Sequence, residues 1–121
     1  MKIINRRLHA LLDYTSAFIL LSAPWLFQFK DSNTATIVAI AAGATILVLS
    51  TITDYEGSLF RLVPMSAHLN LDILLGILLA ASPWIFGFNA EVYLPHLLMG
   101  VFAVLSGLLT VRRSLSKTGV R

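Results

Sequence analysis

Ile73-Leu74-Leu75-Gly76-Ile77-Leu78-Leu79-Ala80-Ala81 carries no polar side chain. A helix on the surface of a soluble bundle shows polar residues on its outer face at every turn; one that is apolar all round is either buried or surrounded by lipid. Reading outward, the stretch extends from Met65 to about Phe86. Three similar blocks accompany it: Leu8 to about Phe27, about Ala35 to Ile52, and Pro95 through His96 to Val111. A bilayer is crossed by roughly 17–25 apolar residues. Each block is long enough, or nearly so. An unpaired strand cannot cross lipid, because its backbone groups would go unsatisfied. The blocks are therefore helices. The chain has 121 residues, of which 57% are hydrophobic and 12% charged. Soluble domains carry about 25% charge. The expected fold is all-α: a polytopic membrane four-helix bundle, with 1–121 as a single transmembrane domain.

Pro64 and Pro95 suit helix starts, where a missing N–H costs nothing. The first block has the basic leader and apolar core of a signal peptide. The same pattern recurs in mid-chain, which argues against cleavage. Cysteine is absent, which removes disulfides, thiolate nucleophiles and Cys-ligated metals. The net charge of +3 comes from residues clustered at helix ends and is no nucleic-acid signal.

The blocks repeat. At an offset of 59, His9-Ala10-Leu11-Leu12-Asp13 lies over His68-Leu69-Asn70-Leu71-Asp72. Pro24-Trp25-Leu26-Phe27-Gln28-Phe29 lies over Pro83-Trp84-Ile85-Phe86-Gly87-Phe88. The second helices of the two copies match only loosely, with no clear register. Repeat one spans 8–52 and repeat two 67–111. Two crossings return the chain to its starting side, so the copies share one orientation. A pseudo-two-fold axis along the membrane normal relates them.

With Ser82-Pro83-Trp84 in the second copy and Ala23-Pro24-Trp25 in the first, the chain resembles the SPW-repeat family of small prokaryotic membrane proteins. The first copy departs at the serine. The resemblance covers nearly the whole chain. It implies a membrane location and a two-helix unit, and no particular activity.

Four crossings put both termini on one side with the middle loop. Lys2, Arg6, Arg7, Arg61, Arg112, Arg113, Lys117 and Arg121 lie there, against Lys30 alone on the other side. The bias of basic residues towards the cytoplasm makes both termini cytoplasmic in a plasma or inner membrane.

The Pro-Trp pairs fall at the outer helix ends. Pro24, Trp25, Ser82, Pro83 and Trp84 are read as interfacial anchors, with Ser82 capping a new turn started by Pro83. Phe27, Phe29, Phe86 and Phe88 are expected at headgroup level beside them, and His96 in water. Asp54, Tyr55, Glu56 and Arg61 read as a solvated loop with a local salt bridge. Thr15, Ser16, Thr45 and Asn70 are expected to make interhelical hydrogen bonds. Glycines 43, 76, 100 and 107 suit close helix contacts.

His9 and Asp13 are one turn apart on one helix face, as are His68 and Asp72. A carboxylate inside the apolar zone is costly against lipid, so both Asp side chains should face inward. The four residues are expected to form one buried polar cluster. Its simplest role is structural. It is also the metal candidate, since two His and two Asp are ligands for Zn or Mn.

No catalytic triad, phosphate loop, zinc-protease motif or nucleotide fingerprint is present, so catalysis is not expected. The leading function is that of a structural or accessory membrane protein, associating through its helices and in homo-oligomers, with the lipid bilayer as partner and no cofactor. One alternative is an ion or small-solute transporter or channel using Asp13 and Asp72. Another is a membrane redox protein holding a metal or haem with His9 and His68.

Overall fold

The computed structural model describes residues 2–117. Arg121, counted above among the basic residues, lies outside the described residues. The chain forms four helices: α1 (Arg6–Leu26), α2 (Asn33–Ile52), α3 (Met65–Ile85) and α4 (Leu94–Leu109), then a short 3-10 turn, Leu115–Lys117. No strand occurs among the described residues. α2 and α3 are long and apolar enough to cross a membrane. α4 is apolar but shorter.

α1 starts on Asn5, whose side chain accepts from Leu8 N at 2.8 Å. Pro64, expected as the first position of α3, is instead its N-cap, one position before the observed start at Met65. Pro95 lies in the first turn of α4. α1 packs along α2, and α3 along α4. Small residues let them approach. A Cβ on Gly100 would come within 2.4 Å of Ala80 N, and one on Gly43 within 3.0 Å of Ala17 O.

Pro24 and Pro83 lie within the last turns of α1 and α3 and do not begin new turns. Proline has no N–H, so it leaves unpaired the carbonyl four residues earlier. At Pro83 that carbonyl is Leu79 O, and the Ser82 hydroxyl donates to it at 2.6 Å. Ser82 therefore mends the proline's gap in its own helix and does not act as a cap. The helices then stop in the same way. Phe29 N donates to Pro24 O and Phe88 N to Pro83 O, each at 2.8 Å. The residues between, Gln28 (φ 59°) and Gly87 (φ 75°), are left-handed. This is a helix ending that favours glycine.

Trp25, Phe27, Trp84 and Phe86 are exposed at these ends. Phe29 and Phe88 turn inward and are buried, contrary to the headgroup placement expected of them. Both pack on His96, with ring centroids 5.2 and 4.8 Å away. His96 is fully buried, not wet, and donates from Nε2 to Ala35 O at 3.0 Å. Its apolar setting follows from the bend after each helix, which folds Phe29 and Phe88 back under the bundle.

At the opposite end the N-terminal segment, the middle loop and residues 111–117 are tied together. Ile4 N donates to Leu109 O, and Val111 N to Ile4 O, each at 3.0 Å. Val63 N donates to Ile52 O, and Asp54 N to Val63 O, each at 2.8 Å. These bonds correspond pairwise, with an offset of 59 before the first helix of each unit and 57 at the end of the second. The middle loop is solvated only in part. Tyr55 and Asp54 are buried. Glu56 pairs with Arg6, at 3.0 Å to Nε, across 50 positions and not locally. Asp54 accepts from Ser116 Oγ and from Ser116 N. Arg61 is exposed.

A polar joint between the four helices

His9, Asp13, His68 and Asp72 meet. All four are buried, and one ligand atom from each lies within 4.8 Å of the others. The contacts cross between α1 and α3. His9 Nε2 is 2.9 Å from Asp72 Oδ2, and His68 Nε2 is 2.8 Å from Asp13 Oδ2. Within each helix the His–Asp distance is longer: 3.3 Å for His9–Asp13 and 3.3 Å for His68–Asp72. The two Nε2 atoms are themselves 3.3 Å apart.

The outer ring nitrogens reach the other two helices. His68 Nδ1 lies 2.6 Å from Thr53 Oγ1, at the end of α2. His9 Nδ1 lies 2.8 Å from Thr110 Oγ1, at the end of α4. Each threonine has already spent its proton within its own helix. Thr53 Oγ1 donates to Leu49 O at 2.7 Å, and Thr110 Oγ1 to Ser106 O at 2.6 Å. A hydroxyl whose single proton is committed can only accept from a further partner. Both histidines are thus protonated at Nδ1, and both turn Nε2 to the centre. Ser106 Oγ stands 3.0 Å from His9 Nδ1 as a second neighbour.

Asp13 Oδ2 also accepts from Ser50 Oγ and Tyr55 OH, each at 3.2 Å. Asp72 has no such extra donors among the described contacts, so the two carboxylates are not equivalent. Burial, with the Asp13 carboxylate beside it, pushes the Tyr55 phenol well above its ordinary range. Tyr55 stays a neutral donor. Above the joint, a space bordered by Asp13, Leu20, Ile46, Asp72, Met99 and Ser106 holds about 10 Å³, about the room of one water molecule.

Sequence reasoning missed Thr53, Thr110, Ser50 and Tyr55. Thr53 and Thr110 follow the second helices, whose register was unreadable; the 57-residue offset between them is the signal that would have found them. Two of the expected interhelical donors do other work. Thr45 Oγ1 bonds Ala41 O in its own helix. Asn70 Oδ1 accepts from Arg112. Thr15 is exposed, and Ser16 is buried beside the small space above the joint.

No curated protein and no solved structure matches this chain. The family model of the SPW repeat domain matches residues 7–110, which include both Pro-Trp ends, all four members of the His–Asp cluster and both threonines that hold them. The chain therefore belongs to the SPW repeat domain family.

Proposed function

We propose that this chain is a four-span protein of the plasma or inner membrane whose role is structural or accessory. Its repeats, 8–52 and 67–111, share one orientation and are joined at the His–Asp cluster. Both termini and the middle loop face the cytoplasm. Lipid is the immediate partner. Association with further copies or other membrane helices uses the outward faces.

The observation that carries this reading is the crossed pairing of His9 with Asp72 and His68 with Asp13. Each histidine belongs to one unit and each partner carboxylate to the other. The Nδ1 bonds to Thr53 and Thr110 bring α2 and α4 into the same network. One buried point thus touches all four helices, where a scaffold gains most from a fixed geometry. The lipid-facing reading is supported by the outward side chains. Phe18, Ile37, Val48, Leu74, Ile77, Leu98 and Leu105 are all exposed. Such a girdle is unusual on a soluble monomer and is ordinary in a bilayer.

The test is thermal unfolding of the purified full chain in detergent with chelator present. Asp13→Ala and Asp72→Ala are each expected to lower the midpoint. Unchanged midpoints in both would overturn the reading.

A further inference from the structure

We propose that His9, Asp13, His68 and Asp72 bind one divalent transition-metal ion of the zinc class at the joint between the repeats. The proposal rests on the reading of this cluster as that joint.

The donor set is right for such an ion. Zinc takes imidazole nitrogen at about 2.0–2.1 Å and carboxylate oxygen at about 2.0–2.2 Å, usually in a tetrahedron. Ligand atoms on such a tetrahedron stand about 3.4 Å apart. Here the closest contacts among the four residues run from 2.8 to 3.3 Å, and one ligand atom from each lies within 4.8 Å of the other three.

The ring orientation is fixed from behind. Metal-bound histidines commonly donate their other N–H to an oxygen acceptor, which sets the tautomer and aims the lone pair. Thr53 and Thr110, with protons committed to Leu49 O and Ser106 O, are such acceptors. In the neutral form both histidines therefore present Nε2 lone pairs to the centre, where the carboxylates also present lone pairs. Four acceptors facing one point require a cation or added protons. Two added protons also neutralise the site, each Nε2–H donating to its crossed carboxylate, and that is the joint in the absence of metal. One divalent ion serves all four contacts. Two carboxylates, two neutral imidazoles and one such ion sum to zero charge, which suits a site buried from water. No redox change or bond breaking is involved.

The test uses the full chain in detergent, stripped with chelator and then titrated with Zn²⁺, with bound metal counted by elemental analysis. The expected result is one equivalent per chain. It should be kept by Thr45→Ala and lost by His9→Gln and by His68→Gln. Thr53→Val and Thr110→Val, which leave the ligands in place, should each weaken affinity about 10- to 100-fold. Co²⁺ added to the stripped wild-type chain should give the intense visible bands of a four-coordinate site, a readout that needs no variant to fold. Weak six-coordinate bands, no stoichiometric Zn²⁺ on the folded wild type, or equal binding by the His9→Gln/His68→Gln double variant would overturn the proposal. The structural reading fails separately, by unchanged unfolding of the Asp variants in chelator.

Discussion

His9 Nε2 lies closer to Asp72 Oδ2, in the other repeat, than to Asp13 Oδ1 one turn away on its own helix: 2.9 Å against 3.3 Å. The four-residue spacing puts His and Asp on one face, and the shortest bond is nevertheless made across the bundle. His68 does the same with Asp13 at 2.8 Å. A polar pair that could have been satisfied locally instead links α1 to α3.

The threonines behind the rings should matter to stability even without metal. Thr53→Val and Thr110→Val each leave a buried Nδ1–H without its acceptor. An unmet buried donor costs about 1–3 kcal/mol. Chelated protein should unfold earlier by that amount in either variant, and Thr→Ser should recover most of it. Equal stability of Val and Thr at both positions would remove the threonines from the network.

Helix endings offer a test of the repeat itself. Gln28 and Gly87 occupy matching left-handed positions. A non-glycine residue there costs roughly 1–2 kcal/mol. Gln28→Gly should therefore raise the unfolding midpoint, and Gly87→Gln should lower it. The gain is reduced by the extra freedom glycine has in the unfolded chain. Changes of the same sign in both variants would contradict the equivalence.

Legibility in the sequence differed by residue type. The four helices and the His–Asp spacing could be read because long apolar runs are a local signal and because rare residues recur at 59. The places of Phe29, Phe88 and His96 could not. Aromatics near a membrane end are compatible with either headgroup or core, and only the turn at Gln28 and Gly87 decides. Tyr55 and Asp54 lie in the loop as expected, but polarity wrongly suggested solvent around them. Their burial depends on residues 114–116 folding back, with Ser114 Oγ accepting from Met65 N and Leu115 N donating to Asp54 O. No local pattern carries that contact. Ser82 was misread because its hydroxyl compensates a proline inside the helix, which resembles a cap in sequence.

At the same end, Arg6 and Glu56 should give a small acid-sensitive increment. Burial alone would raise the Glu56 carboxyl, but the Arg6 guanidinium holds it below its ordinary value. A carboxyl lowered on folding adds stability above its unfolded pKa. That stability is lost as pH falls through the lowered folded value. The pair is partly exposed, so its worth is about 1 kcal/mol or less. Unfolding midpoints of wild type and Glu56→Gln should differ at neutral pH and converge in acid. A gap that widens in acid would contradict the pairing.

The proposed orientation rests on the basic residues and is tested by reporters. A cytoplasm-active reporter fused after either terminus should work, and one inserted between Lys30 and Asn33 should not. An exported-side reporter active at both termini would reverse the assignment.

The crossed joint is tested most directly by a double-mutant cycle on His9 and Asp72, measured by unfolding of the chelated full chain in detergent. Breaking one partner of a buried pair costs about 3–5 kcal/mol. The expected result is that His9→Ala and Asp72→Ala each destabilise strongly. Their combination should cost less than the sum, by a coupling of about 1–3 kcal/mol. Strict additivity of the two substitutions would contradict the claim that this pair fastens one repeat to the other.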